Sequence, residues 1–524
     1  MSKVRGKRGN KKPRREAEVD ASMPSLLLAT CEGRLAIVEK YLDAGIDVNE
    51  ALTSDGATPL LLAAQNGHLD VVTKLIAADA LVDKATTDGA TPLLLAAQNG
   101  HLDVVTKLIA ADALVDKATT DGCTPLYIAA QNAHLTVVTK LIAADADVDK
   151  AMATDGCTPL YIAAQNGHLD VVRKLIAADA DVDKAATNGC TPLYIAAGKG
   201  HLAVVTELIG AGGADVDKAL TTNGCTPLYI AAEKGHLTVV VKVIAAGRLF
   251  SRPRFIAAGA DVDKVRTTNG CTPLYIAAEK GHLTVVKELI AAKADVDKAR
   301  TTDGCTPLSI AAAKGHVTVV TEIIGAGADV DKALTTDGRT PLYIAAEKGH
   351  LTVVVKVIAA GALFDKAATN GCTPLYITAA KGHIAVARKL IDAGAHDLRV
   401  HGAMMCDIMF AGKKRIATPN WIFQDITGPS LGCDTHSSLP LLIAAHYGNL
   451  AVVTKLIAAG AVVDEAATNG STPLFFAASS GHAAIVSKLL QHGADKSIRN
   501  QESGETPLMA AQRRNHAAVV ALLA

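Results

Sequence analysis

The stretch Asp155–Asn188, DGCTPLYIAAQNGHLDVVRKLIAADADVDKAATN, is nearly repeated along most of the chain. Its Thr-Pro-Leu begins at Thr58, Thr91, Thr124, Thr158, Thr191, Thr226, Thr272, Thr306, Thr340, Thr373, Thr472 and Thr506, mostly at spacings of 33 or 34 residues. A period of that length implies a solenoid, in which each unit contacts only its neighbours and stacking builds a continuous core. That overrides the three or four globular domains that length alone would suggest.

Each unit reads as two short helices and a polar finger. Thr158 is an N-cap and Pro159 occupies N1, where its missing N–H costs nothing. Leu160, Ile162, Ala163 and Ala164 give the first helix a buried side, and Gly167 ends it by tolerating positive φ. Leu169, Val171, Val172, Leu175 and Ile176 form an apolar stripe on a second helix. Helices of two or three turns are marginal in water, so these draw their stability from neighbouring units. The remaining ADADVDKAATNG, ending in Asn188-Gly189, predicts a turn or finger projecting from the stack.

These TPL, AA, GH, VV, LI and ADVD elements resemble the ankyrin repeat over nearly everything after residue 22. The resemblance implies an all-α solenoid of helix-turn-helix units with projecting β-hairpin fingers. The histidine usual after TPL is replaced by Tyr127, Tyr161, Tyr194, Tyr229, Tyr275, Tyr343 or Tyr376 in seven units, and by Leu61, Leu94 or Ser309 in three others. The family's hydrogen bonds at that position therefore do not transfer.

Four segments follow from the register. Residues 1–22 are a basic tail, 23–396 a repeat stack with a loop insertion near 248–259, 397–438 a degenerate half repeat and loop, and 439–524 the C-terminal repeats and cap. From Thr373 to Leu439 is 66 residues, two periods of 33. Over that span CDIMFAG aligns with TPLYIAA, but Pro419 falls where a second helix belongs. The insertion brings Arg248, Arg252 and Arg254 together with Phe250 and Phe255, and reads as a tolerated surface loop.

The whole chain carries 52 basic and 52 acidic residues. The tail holds Lys3, Arg5, Lys7, Arg8, Lys11, Lys12, Arg14 and Arg15 against three acidic residues, leaving 44 basic and 49 acidic for the remainder. Its composition predicts disorder, and its charge suits an import receptor, nucleic acid or anionic lipid. No apolar run reaches the ~18–20 residues of a membrane span. Seven cysteines, Cys123, Cys157, Cys190, Cys225, Cys271, Cys305 and Cys372, precede the TPL threonine of their units. Packed helices lie ~8–10 Å apart, beyond the ~7 Å between Cα atoms that a disulfide allows. Free thiols in a reducing cytoplasm or nucleus are therefore expected.

No catalytic, cofactor-binding or metal-binding residues emerge. Twelve of the seventeen histidines occupy one repeat position, which points to helix-junction hydrogen bonding because a catalytic group is needed once. The Asp-Lys pairs, such as Asp149-Lys150, Asp183-Lys184 and Asp217-Lys218, read as a self-neutralised finger surface rather than converging calcium ligands. His396, His401, Cys406, Cys433 and His436 lie off the register but lack the paired short spacings of zinc sites.

The resemblance implies a non-enzymatic, monomeric scaffold or adaptor that binds other proteins on a concave face of finger tips and first helices. The candidate contacts are Thr87, Asp88, Thr120 and Asp121, with the helix-end pairs Gln65-Asn66, Gln98-Asn99, Gln131-Asn132, Gln165-Asn166, Glu233-Lys234, Glu279-Lys280 and Glu347-Lys348. Near-identical units let a partner slip by one repeat, so discrimination is expected where they differ, including His446-Tyr447, Ser479-Ser480 and Arg513-Arg514. The alternative is a nucleic-acid or anionic-surface binder led by the tail, with the repeats as spacer.

Overall fold

The computed structural model describes residues 25–210, 213–246, 260–395, 439–467 and 469–524. They fall into two compact units, Met1–Ala231 with Ala245–Ala260, and Ala232–Ile244 with Asp261–Ala524. Within each unit the elements are helix pairs such as Pro159–Asn166 with Leu169–Ile176, and Pro307–Lys314 with Val317–Gly325. First helices pack on the first helices of adjacent repeats, and second helices on second helices.

The TPL threonine starts each pair as its spacing predicts. The Thr158 hydroxyl accepts from Tyr161 N–H at 3.1 Å, and proline follows at N1. Losing such a cap typically costs about 1 kcal/mol. Leu160, Ala163, Ala164, Val171, Val172 and Leu175 are buried. The first helix closes at Gly167, with φ 79°.

The fingers are turns rather than β-hairpins, for no strand forms among the described residues. Thr86 N–H closes its own finger onto Ala90 O at 3.0 Å, and Thr87 N–H donates to Asp55 O of the preceding finger at 2.8 Å. Each tip makes too few such bonds for a ladder.

The sequence departures at 248–259 and 397–438 lie outside the described residues, as does the basic tail. The repeats bracketing the two internal segments are described. His282 Nε2 lies 3.1 Å from Glu233 O, the contact that successive repeats make elsewhere, across 49 positions of sequence instead of 36 or 37. Helix Pro374–Lys381 packs directly on Leu439–His446, and Ile384–Asp392 on Leu450–Ala458. Asn449 takes the histidine position there and donates from Nδ2 to Ala379 O at 2.6 Å. The doubled spacing in sequence is therefore not a doubled distance along the stack.

Candidate interaction surface

Most polar groups of a repeat are consumed in holding the next one. The histidine beginning most second helices faces a main-chain carbonyl near the C-terminus of the preceding first helix. His101 Nε2 lies 3.0 Å from Gln65 O, His134 2.9 Å from Gln98 O and His201 3.0 Å from Gln165 O. In the second unit His316 reaches Glu279 O and His350 reaches Ala313 O, both at 3.1 Å. A carbonyl can only accept, so Nε2 carries the hydrogen and donates. This is the helix-junction role that the repeated position implied.

The ring also decides what may stand at the end of the preceding first helix. A Cβ built on Gly67 would lie 2.6 Å from His101 Nδ1, and one on Gly167 would lie 2.8 Å from His201 Nδ1. Two repeats depart from glycine there, with Ala133 at φ 62° and Asn515 at φ 58°. Ala133→Gly should raise stability by about 1 kcal/mol, since a left-handed Cβ costs ~1–2 kcal/mol and glycine's added chain entropy returns part of it. Urea unfolding would measure the gain, and an unchanged or lowered midpoint would mean that the backbone has relaxed around the alanine.

The Asp-Lys edge is similarly occupied. Asp149 accepts Asp181 N–H at 3.2 Å and Asp183 accepts Asp215 N–H at 3.0 Å. Lys218 Nζ donates to Asp183 O at 2.8 Å. In the second unit Asp297 accepts Asp329 N–H at 3.1 Å, while Lys332 Nζ donates to Asp297 O at 3.1 Å. These carboxylates brace one finger against the next.

Cysteines 31, 123, 157, 190, 225, 271, 305 and 372 are free thiols, as the repeat spacing predicts. Burial is the main cause pushing Cys123 and Cys271 up to about 11 and Cys157 and Cys372 up to about 12. The tyrosine replacing the family histidine meets this column, and Tyr161 Oη donates to Cys190 Sγ of the next repeat at 3.5 Å.

The candidate contact residues divide by what already holds them. Thr87, Asp88, Thr120 and Asp121 are exposed at the finger tips. The Thr86 hydroxyl donates to Asp88 and holds that carboxyl below the usual carboxylate range. The Thr119 hydroxyl donates to the Asp121 carboxylate. Gln65, Gln98, Asn66, Asn99, Asn132 and Asn166 are exposed, whereas Gln131 and Gln165 are half-buried. The asparagines are largely structural. Asn66 Nδ2 donates to Leu62 O at 2.8 Å, Asn99 Nδ2 to Gln65 O at 3.1 Å, Asn132 Nδ2 to Gln98 O at 2.9 Å and Asn166 Nδ2 to Gln131 O at 3.1 Å.

In the second unit Glu233, Glu279 and Glu347 are half-buried, and Lys234, Lys280 and Lys348 exposed. Two arginines beside these pairs escaped the sequence reading. Arg339 replaces the column cysteine and donates from Nε to Asp337 at 2.7 Å and from Nη1 to Glu347 at 2.9 Å. Arg300 Nε donates to Asp303 at 2.9 Å, its guanidinium 5.3 Å from the Tyr275 ring centre. Lys314 and Lys381 share the position of Lys280 and are exposed too; alignment of the repeats is the signal that finds them.

No helix among the described residues is long and apolar enough to cross a membrane. A family model described as ankyrin repeats in three copies matches residues 26–119, 111–186, 174–253, 253–333, 319–400 and 441–524. No curated protein matches the chain.

Proposed function

Because the chain belongs to the ankyrin-repeat family, whose repeats are generally protein–protein interaction modules, we propose that it is a non-enzymatic scaffold or adaptor binding partner proteins through its finger tips and first-helix ends. The observation that carries this reading is how the polar groups are divided. Histidine, aspartate and asparagine side chains are taken up between repeats, whereas Thr87, Thr120, Gln65, Gln98 and the helix-end lysines are exposed. A standard interface uses ~20–30 residues per side, so at about five exposed positions per repeat it would span roughly five repeats. A stack this long has room for more than one partner.

The test is proximity labelling of the full chain beside one beginning at Met23 and one carrying Gln65→Arg, Thr87→Arg, Gln98→Arg and Thr120→Arg. Partners shared by the full chain and the Met23 chain, and lost with the arginines, support the scaffold. Recovery that depends on the tail alone, or on nucleic acid, would instead favour a basic-tail binder with the repeats as spacer.

A further inference from the structure

The exposed position that closes each first helix changes character within the molecule. In the first unit Asn99, Asn132 and Asn166 turn their amides back onto the preceding repeat, and the repeat after them already carries an exposed lysine, Lys199, at that position. In the second unit successive repeats place Lys234, Lys280, Lys314, Lys348 and Lys381 there, all exposed, followed by Tyr447. Among the described residues no hydrogen bond or ion pair holds Lys234, Lys280, Lys348 or Lys381, and Lys314 reaches Glu279 only at 4.0 Å. Several neighbouring acids are already answered, Asp303 by Arg300 and both Asp337 and Glu347 by Arg339.

Resting on the scaffold reading above, we propose that this lysine column binds an extended, polyproline-II segment of a partner protein with an acidic residue at every third position. Tyr447 sets the register of that segment by stacking a proline.

The spacing selects the ligand. Packed helices repeat at ~8–10 Å, and a polyproline-II chain advances about 9 Å per three-residue turn, with every third side chain on one face. An acid at every third residue thus meets one lysine per repeat. An α-helix, at ~5.4 Å per turn, falls out of step with such a column.

Exposed ion pairs are individually weak, a factor of about two to five each, so affinity must come from several made together. Equivalent lysines alone would let the ligand slide by one repeat. Tyr447 breaks the repetition: it is 55% exposed, with its ring edge-on to His446 at 5.0 Å, and His446 is in turn edge-on to Phe476 at 5.6 Å. An aromatic anchor already held by its neighbours loses little freedom on binding.

Fluorescence anisotropy on the full chain tests this with three labelled probes. The first is a synthetic proline-rich peptide with glutamate at every third residue. The second has the same composition with glutamate at every second residue, and the third is an oligothymidylate of matched charge. The every-third peptide should bind roughly tenfold tighter than either, and Lys314→Glu should weaken it roughly tenfold. With a photo-crosslinker at the anchor proline, the native chain should be labelled beside Tyr447, whereas Tyr447→Ala should spread the label over several repeats.

Equal affinity for both spacings, tighter binding of the oligothymidylate, no effect of Lys314→Glu, or dispersed labelling of the native chain would each overturn the proposal. Far-UV circular dichroism confirms that the variants are folded. Partners still captured by a chain whose lysines ignore the peptide would leave the scaffold reading standing. A full chain that captures no protein would remove both.

Discussion

Replacing Gly281 with alanine should destabilise the second unit by about 2–4 kcal/mol, the sum of two costs at one atom. The backbone is left-handed, with φ 79°, a conformation that costs a Cβ-bearing residue ~1–2 kcal/mol. The new methyl would also lie 2.8–3.0 Å from the Cε1, Nδ1 and Nε2 atoms of His316, and overpacking of that kind costs ~1–3 kcal/mol. Any withdrawal of the ring strains its Nε2–H bond to Glu279 O, 3.1 Å long. His316→Ala alone should cost ~1–3 kcal/mol by stranding that carbonyl. The double variant should cost less than the sum by about 1–3 kcal/mol, since without the ring only the backbone strain remains. Urea unfolding of the four proteins completes the cycle. Additive costs would show that glycine and histidine act independently, contrary to the packing seen here.

That glycine illustrates what a single repeat can and cannot disclose. Positive φ at Gly167 was legible from its place after an apolar helix, but the ring that crowds a side chain there comes from the following repeat. A second left-handed position ends the second helices, filled by Asp79, Asp112, Asp145, Asp179 and Lys293 in some repeats and by Gly327, Gly361 and Gly460 in others. A Cβ on Gly327, Gly361 or Gly460 would meet nothing within 4 Å, so open space explains the substitutions, and aspartate tolerates the conformation better than most residues.

Contacts between repeats were the least legible. The asparagines of the helix-end pairs looked like partner contacts because their carbonyl acceptors lie 34 or 35 residues away in sequence. The direct packing of Pro374–Lys381 on Leu439–His446 was missed because counting periods treats distance along the chain as distance along the stack. Arg339 stands where other repeats carry a cysteine, and the preceding repeat has Ser309 in place of tyrosine. Since Tyr161 meets Cys190 across the same junction, a large side chain followed by a small one has become small followed by large. Only the stacked structure puts those two positions side by side.

Stability should fall steeply above about pH 9, the ordinary range in which a thiol ionises. Burial lifts Cys157 and Cys372 up to about 12 and Cys123 and Cys271 up to about 11, and it raises Cys190, Cys305 and the tyrosines that meet them. With the folded value above the unfolded one, the neutral thiol's contribution is fully present below the unfolded pKa. As pH rises the unfolded chain releases its proton while the folded chain keeps it, so stability drains away until the folded pKa is reached. Each thiol caught in that window contributes a slope of about 1.4 kcal/mol per pH unit. Several thiols titrate together, so a repeat stack stable near neutrality should unfold well before pH 12. Urea midpoints followed by circular dichroism from about pH 8 to pH 11 would show the loss. Cys157→Ala, Cys271→Ala and Cys372→Ala combined should flatten the slope while lowering stability near neutral pH only modestly. If the slope persisted unchanged in that variant, the ionisation limiting the fold would lie elsewhere, with the tyrosines of the same column the next groups to replace.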